Sequence, residues 1–223
     1  MSWLRYMTLR SFVYHNPDWR AVLYLAPNPD YARTWKGIEY QENYHQNEYE
    51  NYFSKIYDLD LEIIPYENHG HHPAQNSDLA CWDIMSNNSG IFFDMDILFI
   101  KSADEFREWL EDSDTGIDLC SPGPHQSGPQ VRIGVACSSG NNEFFKDLLE
   151  MGIDNSKNMS RYQQLGSEHL ASQLCKITRP YQTDLYYKCG NPRDFQNRHQ
   201  DTISGLEKIY GGRAINLSYF DTV

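Results

Sequence analysis

Asp94 and Asp96 stand two residues apart inside the apolar run Ile91-Phe92-Phe93-Asp94-Met95-Asp96-Ile97-Leu98-Phe99-Ile100. On an extended backbone, residues two apart point to one side, so both carboxylates aim at one spot while Met95 faces away. Two poorly solvated anions at one spot repel each other, and the cost is relieved by raising a pKa or by binding a cation. Hard oxygen ligands favour Mg²⁺ or Mn²⁺, which keep open positions for phosphate oxygens and waters. The plain alternative is a strand end that reaches solvent with both carboxylates hydrated and idle. The apolar residues on either side argue against it, because they place the pair within a sheet.

Other constellations carry weaker chemistry. His69-Gly70-His71-His72 is too tightly spaced for a helical metal pair, and Gly70 and Pro73 make it a solvated or acceptor-side loop. Cys137-Ser138-Ser139-Gly140 has no identifiable base beside it and reads as a small-residue turn. Ser121-Pro122-Gly123-Pro124 is a loop from which His125 or Gln126 could face a ligand, with a surface turn as the simpler reading. The tyrosines of 31–57 cover the core or stack on a sugar, the core being the better expectation.

The elements that must position these residues alternate. Trp3, Leu4, Tyr6, Met7, Leu9, Phe12 and Val13 repeat at helical spacing, Asn16-Pro17-Asp18 turns the chain, and Trp19 to Leu25 is a strand. Residues 27–57 form a polar excursion with a helix near Asn47 to Ile56. Leu61-Glu62-Ile63-Ile64 is a strand stopped by Pro65. Ser77 caps a helix whose first turn holds Asp78, whose apolar face is Leu79, Trp82, Ile84 and Met85, and which Asn87 to Gly90 ends. Ile91 to Ile100 is then a strand buried on both faces. A helix over Ala103 to Asp112, strands over Ile117 to Cys120 and Val131 to Ala136, and helices over Asn142 to Met151 and Arg161 to Cys175 complete the pattern. The last thirty residues are weakly patterned, and there is no internal repeat.

The bulk numbers suit one domain, residues 1–223, with its core over 3–175 and a less defined part over 176–223. In 223 residues, 40% are hydrophobic and 14% aromatic, enough to fill one sizeable core. A net charge of −12 without any Lys/Arg cluster argues against a nucleic-acid partner. A small anionic ligand then requires a divalent cation to screen it. Cys81, Cys120, Cys137, Cys175 and Cys189 form no CxxC pair and are odd in number, as expected of reduced thiols in a cytoplasmic protein. There is no transmembrane run and no signal-type h-region at the start, so the sequons at Asn87, Asn158 and Asn216 are chance matches.

Asn76-Ser77-Asp78-Leu79-Ala80-Cys81-Trp82-Asp83-Ile84-Met85, followed by Ser89-Gly90-Ile91-Phe92-Phe93-Asp94-Met95-Asp96-Ile97, resembles the sugar-binding DXD region of a glycosyltransferase family. That family includes yeast Golgi mannosyltransferases, capsular sugar transferases and the clostridial glucosylating toxins. Asn16-Pro17-Asp18-Trp19 after the first helix, and Phe144-Phe145 with Tyr162-Gln163-Gln164-Leu165-Gly166-Ser167, resemble its flanking segments, so the likeness runs over residues 3–175. The resemblance implies an α/β fold of the GT-A (Rossmann-like) kind, an open mixed sheet flanked by helices that here lacks the first strand. It implies a metal-dependent, retaining transfer of a sugar from a nucleoside-diphosphate sugar to a glycan or other hydroxyl acceptor, as in polysaccharide biosynthesis. Asp94 would contact the sugar or ribose, Asp96 with Asp94 would ligate Mn²⁺ or Mg²⁺, and Asp78 would hold sugar hydroxyls. Trp82, Gln164 and Gly166 complete the implied substrate-binding set. The sequence departs from the pattern at Cys81, where the family carries Arg, and at Ser89-Gly90, where it carries Gly-Gly. Two alternatives remain: a degenerate relic that binds a glycan or partner, and an aspartyl-phosphate phosphatase with Asp94 as nucleophile. Against the phosphatase, the chain continues apolar at Ile97-Leu98-Phe99 instead of turning.

Overall fold

A computed structural model describes residues 1, 3–26, 52–67, 73–118, 132–156, 165–178 and 203–216. The chain runs through α1 (Trp3–His15), β1 (Val22–Leu25), a 3₁₀ helix (Tyr52–Asp58), β2 (Glu62–Pro65), α2 (Pro73–Asn87) and β3 (Ser89–Phe93). It continues with α3 (Asp104–Asp112), β4 (Thr115–Asp118), β5 (Arg132–Ser139), α4 (Glu143–Ser156) and α5 (Ser167–Thr178). A helix over 203–210, here α6, and β6 (Ala214–Asn216) complete the described elements.

The architecture is mixed α/β with open sheets, as expected, but the described strands form two sheets rather than one. β1 and β2 pair in parallel, and β3-β5-β4-β6 form a second sheet in which only the β4–β6 pair is parallel. The first pair ends where Pro65 stands opposite Leu25, and Tyr66 N still donates to Leu25 O at 2.9 Å, so the missing proline N–H falls on the side away from β1. Helix α2 begins at Pro73, four residues before Ser77. Proline at the first helical position loses nothing, its missing N–H being unpaired there anyway. Ser77 is therefore an exposed residue inside the helix rather than its cap, and Asp78 lies beyond the first turn.

The largest correction falls on the apolar run at 91–100. Strand β3 stops at Phe93, Asp94 N makes a last bond to Gly134 O at 2.8 Å, residues 95–96 turn, and 97–100 carry no regular structure. What holds this segment is α1. Phe99 packs on Phe12 and Phe93 with ring centres 5.0 and 4.9 Å away, and Phe99 N donates to Ser11 Oγ at 3.0 Å. Leu98 and Ile100 are exposed. Nor is β3 buried on both faces: four of its residues are half-buried and Ser89 is exposed.

Two cores flank the second sheet. On one side α2 and α4 pack Leu79, Trp82, Met85, Phe144, Phe145 and Leu148 against Ile117 and Ala136. On the other, Phe12, Ala103 and Phe106 meet Cys137. Adjacent residues Ala136 and Cys137 thus point to opposite faces, as a pleated strand requires. Further along, β5 advances from Ala136 to Arg132 while β4 advances only from Ile117 to Asp118, an irregularity of the β-bulge kind. Bulges re-aim side chains. Here Val135 joins the α1 side and Ile133 the α2 side despite their equal parity.

Candidate functional site

Asp78, on α2, and Asp94, just past β3, come together where β3 gives out. Asp78 is 7% exposed, and its two carboxylate oxygens lie against Gly166, where a Cβ would meet each at 3.0 Å and Ile133 Cδ1 at 2.7 Å. Asp94 lies over β5, its Oδ2 3.8 Å from the place a Cβ of Gly134 would take. The charge of Asp94 reaches Asp78. Burial first, then the Asp94 charge, pushes Asp78 up to about 8; burial first, then Asp96, pushes Asp94 up to about 6, with Arg5 pulling it back. No hydrogen bond to either carboxyl eases the cost among the described residues. Asp96 is exposed in the turn. The pair therefore does not stand side by side on one extended strand: Asp94 points inward and Asp96 faces solvent, because the chain turns between them.

Cys81 lies one helical turn beyond Asp78 and is 1% exposed. Burial, then Asp94, then Asp78 push its thiol well above the ordinary range, so it is neutral and not a nucleophile. Cys137 is likewise buried and pushed up to about 12 by burial alone. Trp82, expected among the substrate-binding residues, has no exposed surface; its indole stacks on Phe145 at 6.0 Å and 15°. It is a core residue, as the apolar face of α2 dictates. Ser89 has ordinary backbone, whereas Gly90 sits at φ 147°, so of the two positions only the second needs glycine.

Gln164, His69 to His72, Ser121 to Pro124, His125 and Gln126 lie outside the described residues. Among the described residues no group of three or more His, Cys, Asp or Glu side chains gathers as a metal cage. The donor set that does exist, one inward and one solvent-facing carboxylate, fits a Mg²⁺ or Mn²⁺ held by one or two protein oxygens with phosphate and water completing its shell. Sequence reasoning passed over Arg5, whose guanidinium acts on Asp94 from α1. Its signal was the spacing Arg5, Leu9, Phe12, one helical face.

A separate polar cleft of about 250 Å³ lies at the other end of the sheet, lined by Asp114, Asn142, Glu143, Glu207, Tyr210 and Arg213 among others. Ser139, Gly140 and Phe144, noted in the sequence, line it, whereas Asp78, Asp94 and Asp96 do not.

No protein-family model matches the sequence, and no curated protein matches it. Among solved structures the chain is similar to the PaToxG Glycosyltransferase, with a TM-score of 0.53 and 12% identity over 95% of this chain and 74% of that one. At that identity the likeness is one of fold: the chain has a glycosyltransferase-like α/β fold. No described helix is long and apolar enough to cross a membrane.

Proposed function

We propose that this chain is a glycosyltransferase that moves a sugar from a nucleoside-diphosphate sugar to a glycan or other hydroxyl acceptor, with Mn²⁺ or Mg²⁺ as cofactor. The observation that carries the reading is the approach of buried Asp78 and half-buried Asp94, from separate elements and without hydrogen-bond partners among the described residues, beside solvent-facing Asp96. Such an arrangement costs stability unless a ligand uses it, and strongly perturbed carboxyls of this kind mark functional sites. The glycosyltransferase-like fold supports the same reading.

In this mechanism Asp96 and Asp94 would hold the cation, which when bound would supply Lewis-acid stabilisation of charge on a departing diphosphate. Asp78, protonated near neutral pH, donates a hydrogen bond to a sugar hydroxyl and accepts one from another. Gly166 leaves the space that lets Asp78 take this position. The residues thereby orient the donor so that the acceptor hydroxyl meets the anomeric carbon, and by its resemblance the chain retains anomeric configuration. The neutral, buried Cys81 favours a second reading, a non-catalytic relic that binds a glycan or partner.

Calorimetric titration of nucleotide sugars, with and without Mn²⁺, on the native chain and on Asp96→Ala separates the two. Metal-dependent donor binding that disappears in D96A is expected. A folded native chain that binds no donor would leave the relic.

A further inference from the structure

Helix α1 is apolar toward solvent as well as toward the core. Thr8, Leu9, Ser11 and Phe12 are buried, yet Trp3, Leu4 and Tyr14 stand out from the surface, Trp3 57% and Tyr14 77% exposed. Leu4, Met7, Ser11 and Tyr14 follow one another at helical spacing and form one row along the helix, with Trp3, Met7, Arg10 and Tyr14 as the row beside it. The loop after β3 meets the first row at Ser11, where Phe99 N donates to Ser11 Oγ at 3.0 Å. Both chain neighbours of Phe99, Leu98 and Ile100, are exposed. Exposed apolar side chains from two segments are thus gathered on either side of the Phe99–Ser11 bond.

The charge of this surface is opposite to that of the chain. The protein has 31 acidic residues against 19 Lys and Arg, but α1 carries Arg5, Arg10 and His15 and no carboxylate. Residues 97–103 add Lys101, which pairs with Glu105, and again no carboxylate; exposed Asp96 stands at their border. A grouping of exposed apolar side chains marks an interaction site. Trp and Tyr, with an apolar ring and a polar tip, suit the boundary between water and lipid, and cations without acidic neighbours suit anionic headgroups. A symmetric contact between two copies would instead set these cations against each other.

We propose that α1 and the loop after β3 seat the protein on an anionic lipid surface, with Trp3, Leu4, Tyr14, Leu98 and Ile100 entering the headgroup boundary and Arg10 meeting lipid phosphates. The contact is peripheral, of the kind made by a helix lying along the interface. Phe12 against Phe93 and Phe99, and Asn16 Oδ1 accepting from Ala103 N, hold both segments in place before lipid arrives, so docking has little order to create. The inference stands apart from the transferase reading; joined to it, it turns the β3 end, with Asp94 and Asp96, toward the lipid surface.

The test is cosedimentation of the full chain with vesicles of phosphatidylcholine alone and of phosphatidylcholine mixed with phosphatidylserine, at low and high salt. The native chain should sediment with the phosphatidylserine vesicles and lose much of that binding at high salt. Leu98→Asp combined with Ile100→Asp should lower the affinity about tenfold or more, and Arg10→Ala about fivefold, the effect of one basic residue near an anionic surface. Ile209→Asp, on α6, replaces another exposed apolar residue and should bind as the native chain does. All four positions are exposed, so each variant should keep the native circular dichroism, and R10A decides alone if the double variant does not. A native chain that sediments with neither vesicle overturns the proposal, as does a folded L98D/I100D that binds like the native chain. A dimer in analytical ultracentrifugation that L98D/I100D dissociates, with no vesicle binding, assigns the face to a second copy and overturns it too.

Discussion

Asp94 and Asp114 lie at opposite ends of the β3–β5 ladder, one beside Gly134 and the other bonded to Ser139, and the fold treats them in opposite ways. Around Asp114 each carboxylate oxygen is engaged: Ser139 Oγ donates to one at 3.0 Å and Arg213 N to the other at 2.9 Å. Its own carbonyl accepts from Asn142 Nδ2 at 2.6 Å. That carboxylate joins three segments and is used up in doing so. Asp78 is buried and Asp94 half-buried, the charge of the second acting on the first, with no hydrogen bond to either carboxyl among the described residues. A carboxylate with filled lone pairs holds a fold together, whereas an unfilled one costs stability and is left ready for a ligand.

The contrast can be broken hardest at Asp78. In the native chain its proton stays on through neutral pH, while in the unfolded chain it leaves above the ordinary value of 3.8. The folded state therefore binds more protons between these limits, so stability falls as pH rises from about 4 to about 8. Asp78→Asn should remove this slope and stabilise the chain by about 2 to 4 kcal/mol at pH 8, with little gain near pH 4. Denaturant melts across that range check it, and a destabilised D78N at pH 8 would show that the carboxylate has a partner.

Next in size, Gly166→Ala should cost about 1 to 3 kcal/mol, because its methyl would meet Ile133 and both Asp78 oxygens. Donor affinity should fall with it, measured on the folded fraction. Third, Mn²⁺ affinity should rise up to about tenfold per pH unit as Asp94 loses its proton and level off above about pH 6. A pH-independent affinity would place the cation away from Asp94. Smallest, Asp114→Ala should cost about 1 kcal/mol, as expected for loss of exposed hydrogen bonds, and leave Mn²⁺ binding unchanged.

The sequence points to the residues of the candidate site more readily than to their arrangement. Asp94 and Asp96 could be picked out from type and spacing, Asp78 only through the resemblance, and α2 from its apolar face. The length of β3 could not, because Ile97 to Ile100 is as apolar as a buried strand yet is held at Phe99 by Phe12 and by Ser11, 88 residues away in sequence. Local pattern does not distinguish a strand from an apolar loop pinned to a helix. The same holds for Arg5, whose relation to Asp94 is purely tertiary, and for β6, three residues that become a strand only by pairing with β4. Trp82 erred in the other direction, an aromatic near the motif that the packing of α2 on α4 claims for the core.

Asn16 gives the loop after β3 a further property. Its Oδ1 accepts from Ala103 N and from Ser102 Oγ, while its Nδ2 donates to Phe12 O at 2.9 Å. Together with Ser11 on Phe99 N, this splints the ten residues from Asp94 to Ala103 along α1 before any ligand arrives. A loose loop of that length would lose about 1 to 2 kcal/mol of backbone freedom per residue on closing over a ligand. Here folding has already removed much of that freedom, so a ligand binding beside this loop would bear little of that ordering cost.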